Sequence, residues 1–173
     1  MYISDIFPIL KEPNLIAIIV RAVLALICAG IIGYDRNVHG SAAGMRTHML
    51  VCLGAMLAMS TGQYSALMFN SGDITRIGAQ VVSGIGFLGA GSIIVTKENK
   101  IAGLTTAAGL WAAACIGLAI GIGFYEGAIV STIGVYIIER VLRSWSKDIK
   151  ARNASNQVDI SDEDQHVDVN ASE

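Results

Sequence analysis

Residues 76 to 94 read RIGAQVVSGIGFLGAGSII, an apolar run holding Gly78, Gly84, Gly86, Gly89 and Gly91 with one charge, Arg76, at its entrance. Glycine costs a water-exposed helix about 1 kcal/mol relative to alanine, so a soluble chain has little use for so many in one helix. In a bilayer, small residues let helix backbones approach closely, and packing then drives association. The run is expected to be a packed membrane helix. Gly84, Gly86 and Gly89 also satisfy GxGxxG, but a dinucleotide-binding turn needs a strand before it, a helix after it and an acid about twenty residues on. Here the glycines lie inside continuous apolar sequence, and the acid at comparable distance, Glu98, sits between lysines in a polar loop. No cofactor is expected.

The rest of the chain agrees. Its 173 residues are 53% hydrophobic and 15% charged, too apolar for an ordinary soluble domain of this length. A hydrocarbon core of roughly 30 Å takes about 17 to 25 residues per helix, and five stretches qualify: 15 to 33, 47 to 69, 77 to 95, 104 to 124 and 127 to 143. The expected fold is all-α and polytopic, with a short N-terminal segment over 1–14, a five-helix membrane domain over 15–143 and a polar, acidic tail over 144–173. The tail is too poor in apolar residues to offset the entropy of ordering. Nine Lys and Arg, among them Arg36, Arg46, Lys97 and Lys100, fall on one side of these spans and only Lys11 and Arg76 on the other. The positive-inside rule then puts the N-terminus outside and the C-terminus in the cytoplasm. Ala-Gly pairs at 29–30, 43–44, 90–91 and 102–103 recur around both inner loops, which suggests a parallel duplication of a helical hairpin, helices one and two repeated as three and four.

Chemistry-bearing residues are sparse. Charge inside a bilayer is costly and faces a partner or a water-filled space, which singles out Arg21 in the first span, with Glu126 at the start of the fifth as its candidate partner. Asp35, Arg36, His39, Arg46 and His48 gather at the first inner loop. Arg46 and His48 stand beside a helix start, a place that favours anions, lipid headgroup phosphate included. Arg76, Gln80, Ser83, Thr105 and Thr106 place polar groups on glycine-rich helices, where they serve as interhelical glue or line a solute path. Gly84, Gly86, Gly89 and Gly91 on the third helix, and Gly109, Gly117 and Gly121 at every fourth position of the fourth together with Ala113, form faces for helix packing. The two histidines lack a metal-ligand spacing, the acids of the spans lie singly near their ends, and no GxSxG or HExxH is present. No catalytic residue, no metal site and no nucleic-acid partner is expected.

Taken together, Arg21 ahead of Gly30-Ile31-Ile32-Gly33-Tyr34-Asp35-Arg36, then Ala43-Gly44-Met45-Arg46-Thr47-His48, Arg76-Ile77-Gly78-Ala79-Gln80 with VVSGIGFLGAGSII, and Gly103-Leu104-Thr105-Thr106-Ala107-Ala108 with Leu110-Trp111 resemble the MgtC/SapB family of bacterial inner-membrane proteins. In that family the acid of the first inner loop is commonly glutamate, where this chain has Asp35. Several members carry a C-terminal domain resembling ACT-type folds, and an acidic tail stands in its place here. The resemblance implies five membrane helices and, for some members, roles in growth at low magnesium and in survival within a host. The expectation is therefore a non-enzymatic membrane protein acting through lateral contact with other membrane proteins or with a second copy of itself. The alternative is a small-solute or ion transporter with a polar path near the third helix.

Overall fold

The computed structural model describes residues 13–70, 73–95 and 101–141. Among these, five helices follow one another: α1 (Leu15–Val38), α2 (Met45–Phe69), α3 (Thr75–Gly91), α4 (Leu104–Ile122) and α5, helical over 125–141. Three of them, α1, α2 and α4, are long and apolar enough to cross a membrane. At 1.5 Å per residue α3 spans about 25 Å, at the short end of the bilayer range. The protein is an all-α, polytopic membrane protein. Residues 1–12 of the expected N-terminal segment 1–14, and the expected tail 144–173, lie outside the described residues. The described residues as far as Tyr136 cluster as one compact unit, and the packing below is that of this unit.

Local chemistry sets the helix ends. Asn14 caps α1, its side chain accepting from the Ala17 N–H at 2.9 Å, one of the four amides a helix start leaves unpaired. The Asp73 carboxylate accepts from the Thr75 N–H (2.8 Å) and hydroxyl at the entry to α3. These bonds, the hydroxyl's first, hold the Asp73 carboxyl below its ordinary pKa. The helix α1 runs five residues beyond the expected Gly33, so Asp35 and Arg36 are helical and not part of a loop. The reason is that their side chains find cover: Asp35 and Arg36 are 7% and 5% exposed.

Two expectations are corrected at α3. Its helix ends at Gly91, and the chain then makes a small antiparallel ladder, Ile94 opposite Ala102 and Val95 opposite Ile101. Gly103 closes this hairpin with φ +95°, and a side chain there would collide with the Ser92 carbonyl, so the turn demands glycine. Nor is α3 packed all round. Gly78, Ile85 and Gly89 are buried, Gly89 against Ala107 of α4, whereas Gly84, Gly86 and Gly91 have open space where a side chain would stand. The inner loops also differ. A short loop over 39–44 joins α1 to α2, whereas the ladder stands between α3 and α4, so the two connections of the expected repeat are not alike.

The core is tightest between α2 and α4. Gly117 sits against the Cys52 carbonyl, and Gly121 against the Met56 carbonyl and Met59 Cβ, so the row of small residues on α4 is where the two backbones meet. Around that seam an apolar layer forms from Ala25, Cys28 and Ile32 of α1, Cys52 and Met56 of α2, and Ile116 and Ile120 of α4, with Ala128 of α5 packed against it.

Candidate functional site

Two buried arginines flank this apolar layer, and each joins α1 to α4. Arg21 is fully buried. Its Nη1 donates to the Gly121 carbonyl and to Gln63 Oε1, both at 2.8 Å, and lies 3.4 Å from Ser60 Oγ. Its Nε donates to the Tyr125 hydroxyl at 3.2 Å. The Ser60 hydroxyl donates to the same Gly121 carbonyl at 3.1 Å. The choice of acceptor follows from helix geometry: α4 ends at Ile122, so the Gly121 carbonyl is one of the last four that no intrahelical amide can satisfy. A helix C-terminus also carries partial negative charge, which favours a cation. Arg21 answers both needs, and the same guanidinium donates from Nη1 to Gln63 and from Nε to Tyr125.

Arg36 forms the second junction, its Nη2 donating to Thr106 Oγ1 at 2.7 Å. Arg21 and Arg36 are fifteen positions apart on α1, and Thr106 and Gly121 fifteen apart on α4. At 1.5 Å per residue both separations are about 22 Å, so two antiparallel helices are pinned at matched heights. Beside Arg36, His39 turns Nδ1 to the Asp35 carbonyl at 2.7 Å, with the Asp35 carboxylate 3.6 Å away. Thr106→Val, which keeps the shape and removes the acceptor, is expected to destabilise the folded protein by about 1.5 to 3 kcal/mol, the range for a hydrogen bond to a charged group. Thermal melts of wild type and variant in the same nanodiscs check it; coincident melts would remove the junction from the account.

The other residues singled out from sequence do not converge on one path. Arg76, Gln80 and Ser83 are exposed on α3, and Thr105 is exposed beside buried Thr106. Glu126 is half-buried directly after Tyr125. Arg46 and His48, expected to share an anion site, diverge: Arg46 is exposed, and His48 is fully buried with Nδ1 bonded to the Gly44 carbonyl at 2.9 Å. Two positions along a helix is over half a turn, so the pair could not face one ligand while α2 was helical from Met45. Ser60, Gln63 and Tyr125 were missed. Their signal was present as polar side chains one turn apart in an apolar span, or at a span's outer edge, where such groups need partners. Among the described residues no three His, Cys, Asp or Glu gather as a metal-binding group.

Comparison with known proteins gives this arrangement a lineage. The chain is 39% identical to "Putative magnesium transporter YhiD" of Escherichia coli (strain K12) over 147 residues, 82% of this chain and 68% of that protein. It is 36% identical to "Protein MgtC" of Salmonella typhimurium (strain 14028s / SGSC 2262), over 84% of this chain and 58% of that one. To "Protein MgtC" of Brucella abortus (strain 2308) it is 40% identical, over 69% of this chain and 48% of the relative. The chain thus spans about half to two thirds of the curated relatives it matches. No solved structure matches it. The MgtC family profile covers residues 22–147, which takes in Arg36, Ser60, Gln63, Thr106, Gly121 and Tyr125 alike, and with these relatives it establishes that the chain belongs to the MgtC family.

Proposed function

We propose that the protein is a non-enzymatic regulator in the bacterial inner membrane, acting by lateral contact with another membrane protein or a second copy, in cells short of magnesium. The observation that carries this reading is the outward face of α3. Gln80, Ser83, Gly84 and Phe87 are exposed there, and a side-chain amide and hydroxyl in hydrocarbon call for a partner, while glycines beside them allow a neighbouring helix to come close. The buried arginines support it from the other side. Arg21 and Arg36 bind α1 to α4 and are separated by an apolar layer, an arrangement suited to holding a scaffold. Family membership supports the link to magnesium through the name of the Escherichia coli relative, and to survival within a host through the family resemblance. The orientation, N-terminus outside and C-terminus in the cytoplasm, rests on the Lys and Arg count.

A transporter is the second reading, favoured by the name of the Escherichia coli relative. Reconstitution in liposomes separates the two. Wild type is expected to carry magnesium, protons and phosphate no faster than protein-free vesicles. Selective flux that falls in Gln80→Ala and Ser83→Ala, both exposed positions whose change leaves the core intact, would replace the regulator with a transporter using the α3 face.

A further inference from the structure

Two cavities meet at the N-terminal turn of α2. The first, about 580 Å³, is an apolar groove lined by Val23, Leu26, Ile27, Gly30 and Ile31 of α1, with Tyr136 of α5 on its far wall. The second, about 510 Å³, is lined by Asn37, Gly44, Arg46 and Thr47. Met45 and Met49 line both, so one continues into the other. Each falls within the roughly 300 to 1,000 Å³ of ordinary ligand sites.

Polarity changes in one direction along this surface. Positions 23, 26, 27, 30, 31, 34 and 37 follow one face of α1 at three- and four-residue spacing, and they pass from aliphatic through Tyr34 to Asn37. Fourteen residues at 1.5 Å each make about 21 Å. One leaflet of a roughly 30 Å hydrocarbon core is about 15 Å deep, so the face is long enough for an acyl chain plus the start of a headgroup. At the polar end stands the Arg46 guanidinium, exposed and with no ion-pair partner among the described residues. Among the described residues, no acid lines either cavity. A cation at headgroup level, joined to a chain-length apolar groove, has the complement of an anionic amphiphile.

We infer that the groove and the Arg46 pocket form one site for an anionic glycerophospholipid, its acyl chain along α1 and its phosphate at Arg46. Gly30 forms the floor: a methyl there would only touch the Met49 and Met45 Cε atoms at 3.7 and 3.8 Å, whereas a leucine would fill the groove. The site lies away from the α3 face and does not depend on what that face contacts.

The test is native mass spectrometry of the full chain in neutral detergent, titrated with phosphatidylglycerol or phosphatidylcholine of identical acyl chains. Wild type is expected to retain one phosphatidylglycerol per chain roughly fivefold to tenfold better than phosphatidylcholine, the scale of one basic residue facing an anionic lipid. Arg46→Gln should erase that preference with an unchanged melting temperature, because the side chain is exposed. Gly30→Leu should lower retention of both lipids alike. Inorganic phosphate at millimolar concentration should not compete; if it displaces the lipid, the site is for the free anion and the inference fails. Equal retention of the two lipids by wild type, or a preference that survives Arg46→Gln, would overturn it. A dimer that excludes lipid and falls apart in Gly30→Leu would overturn it too, by giving the groove to a second copy.

Discussion

Arg21→Ala is expected to lower the stability of the folded bundle by about 3 to 5 kcal/mol, because several hydrogen bonds to a buried charged group, at about 1.5 to 3 kcal/mol each, are lost together. The Gly121 carbonyl is left with the Ser60 hydroxyl as its side-chain donor, and buried Tyr125 and half-buried Gln63 each lose the guanidinium bond. Unfolding in mixed detergent micelles, followed by circular dichroism, would show the transition moving to much lower denaturant. Arg21→Lys should recover only part of the loss. An ammonium is a compact point donor, and it cannot reproduce a planar fork that reaches α2, the end of α4 and α5 at once. A midpoint for Arg21→Ala within about 1 kcal/mol of wild type would mean that the network is incidental to the fold.

Gly117→Ala should destabilise by about 2 kcal/mol or more even though alanine is the better helix former by about 1 kcal/mol. The new methyl would be driven into the Cys52 carbonyl and would stand 2.9 Å from Ala55 Cβ, and a backbone carbonyl cannot step aside as a flexible side chain does. Relief requires α2 and α4 to separate, which opens the apolar layer beside them. The same change at Gly84, where open space waits, should be neutral or mildly stabilising by helix propensity alone. Measuring both variants in one micelle series supplies its own control, and equal effects at the two glycines would contradict the close α2 and α4 contact.

Position on the chain was readable where it depended on bulk hydropathy, and partners were not. The helices α1, α2 and α4 start within two residues of their expected places, since twenty apolar residues carry their own signal. The exit of α1 was set five residues too early because Asp35 and Arg36 look like interfacial charges until Thr106, seventy positions away, is known to receive the guanidinium. Arg21 stood out as a costly charge, but the carbonyl, amide and hydroxyl that accept from it are groups a search for charge pairs alone passes over. The α3 glycines misled in the opposite sense. Composition says that they permit close approach, and only the fold says which of them are approached: Gly89 is, and Gly84 and Gly86 are not.

The order in which Arg21 meets its partners bears on how the chain is made. Ser60 and Gln63 follow it by 39 and 42 positions, and Gly121 and Tyr125 by 100 and 104. During synthesis the first span therefore enters the membrane carrying a guanidinium whose best acceptor has not yet been assembled. Near the edge of the bilayer it can reach up to headgroup oxygens and wait there. The Gly121 carbonyl becomes available to it only when the end of α4 has been made. The contacts of this one side chain are therefore complete only once the chain has been made as far as the first residue of α5.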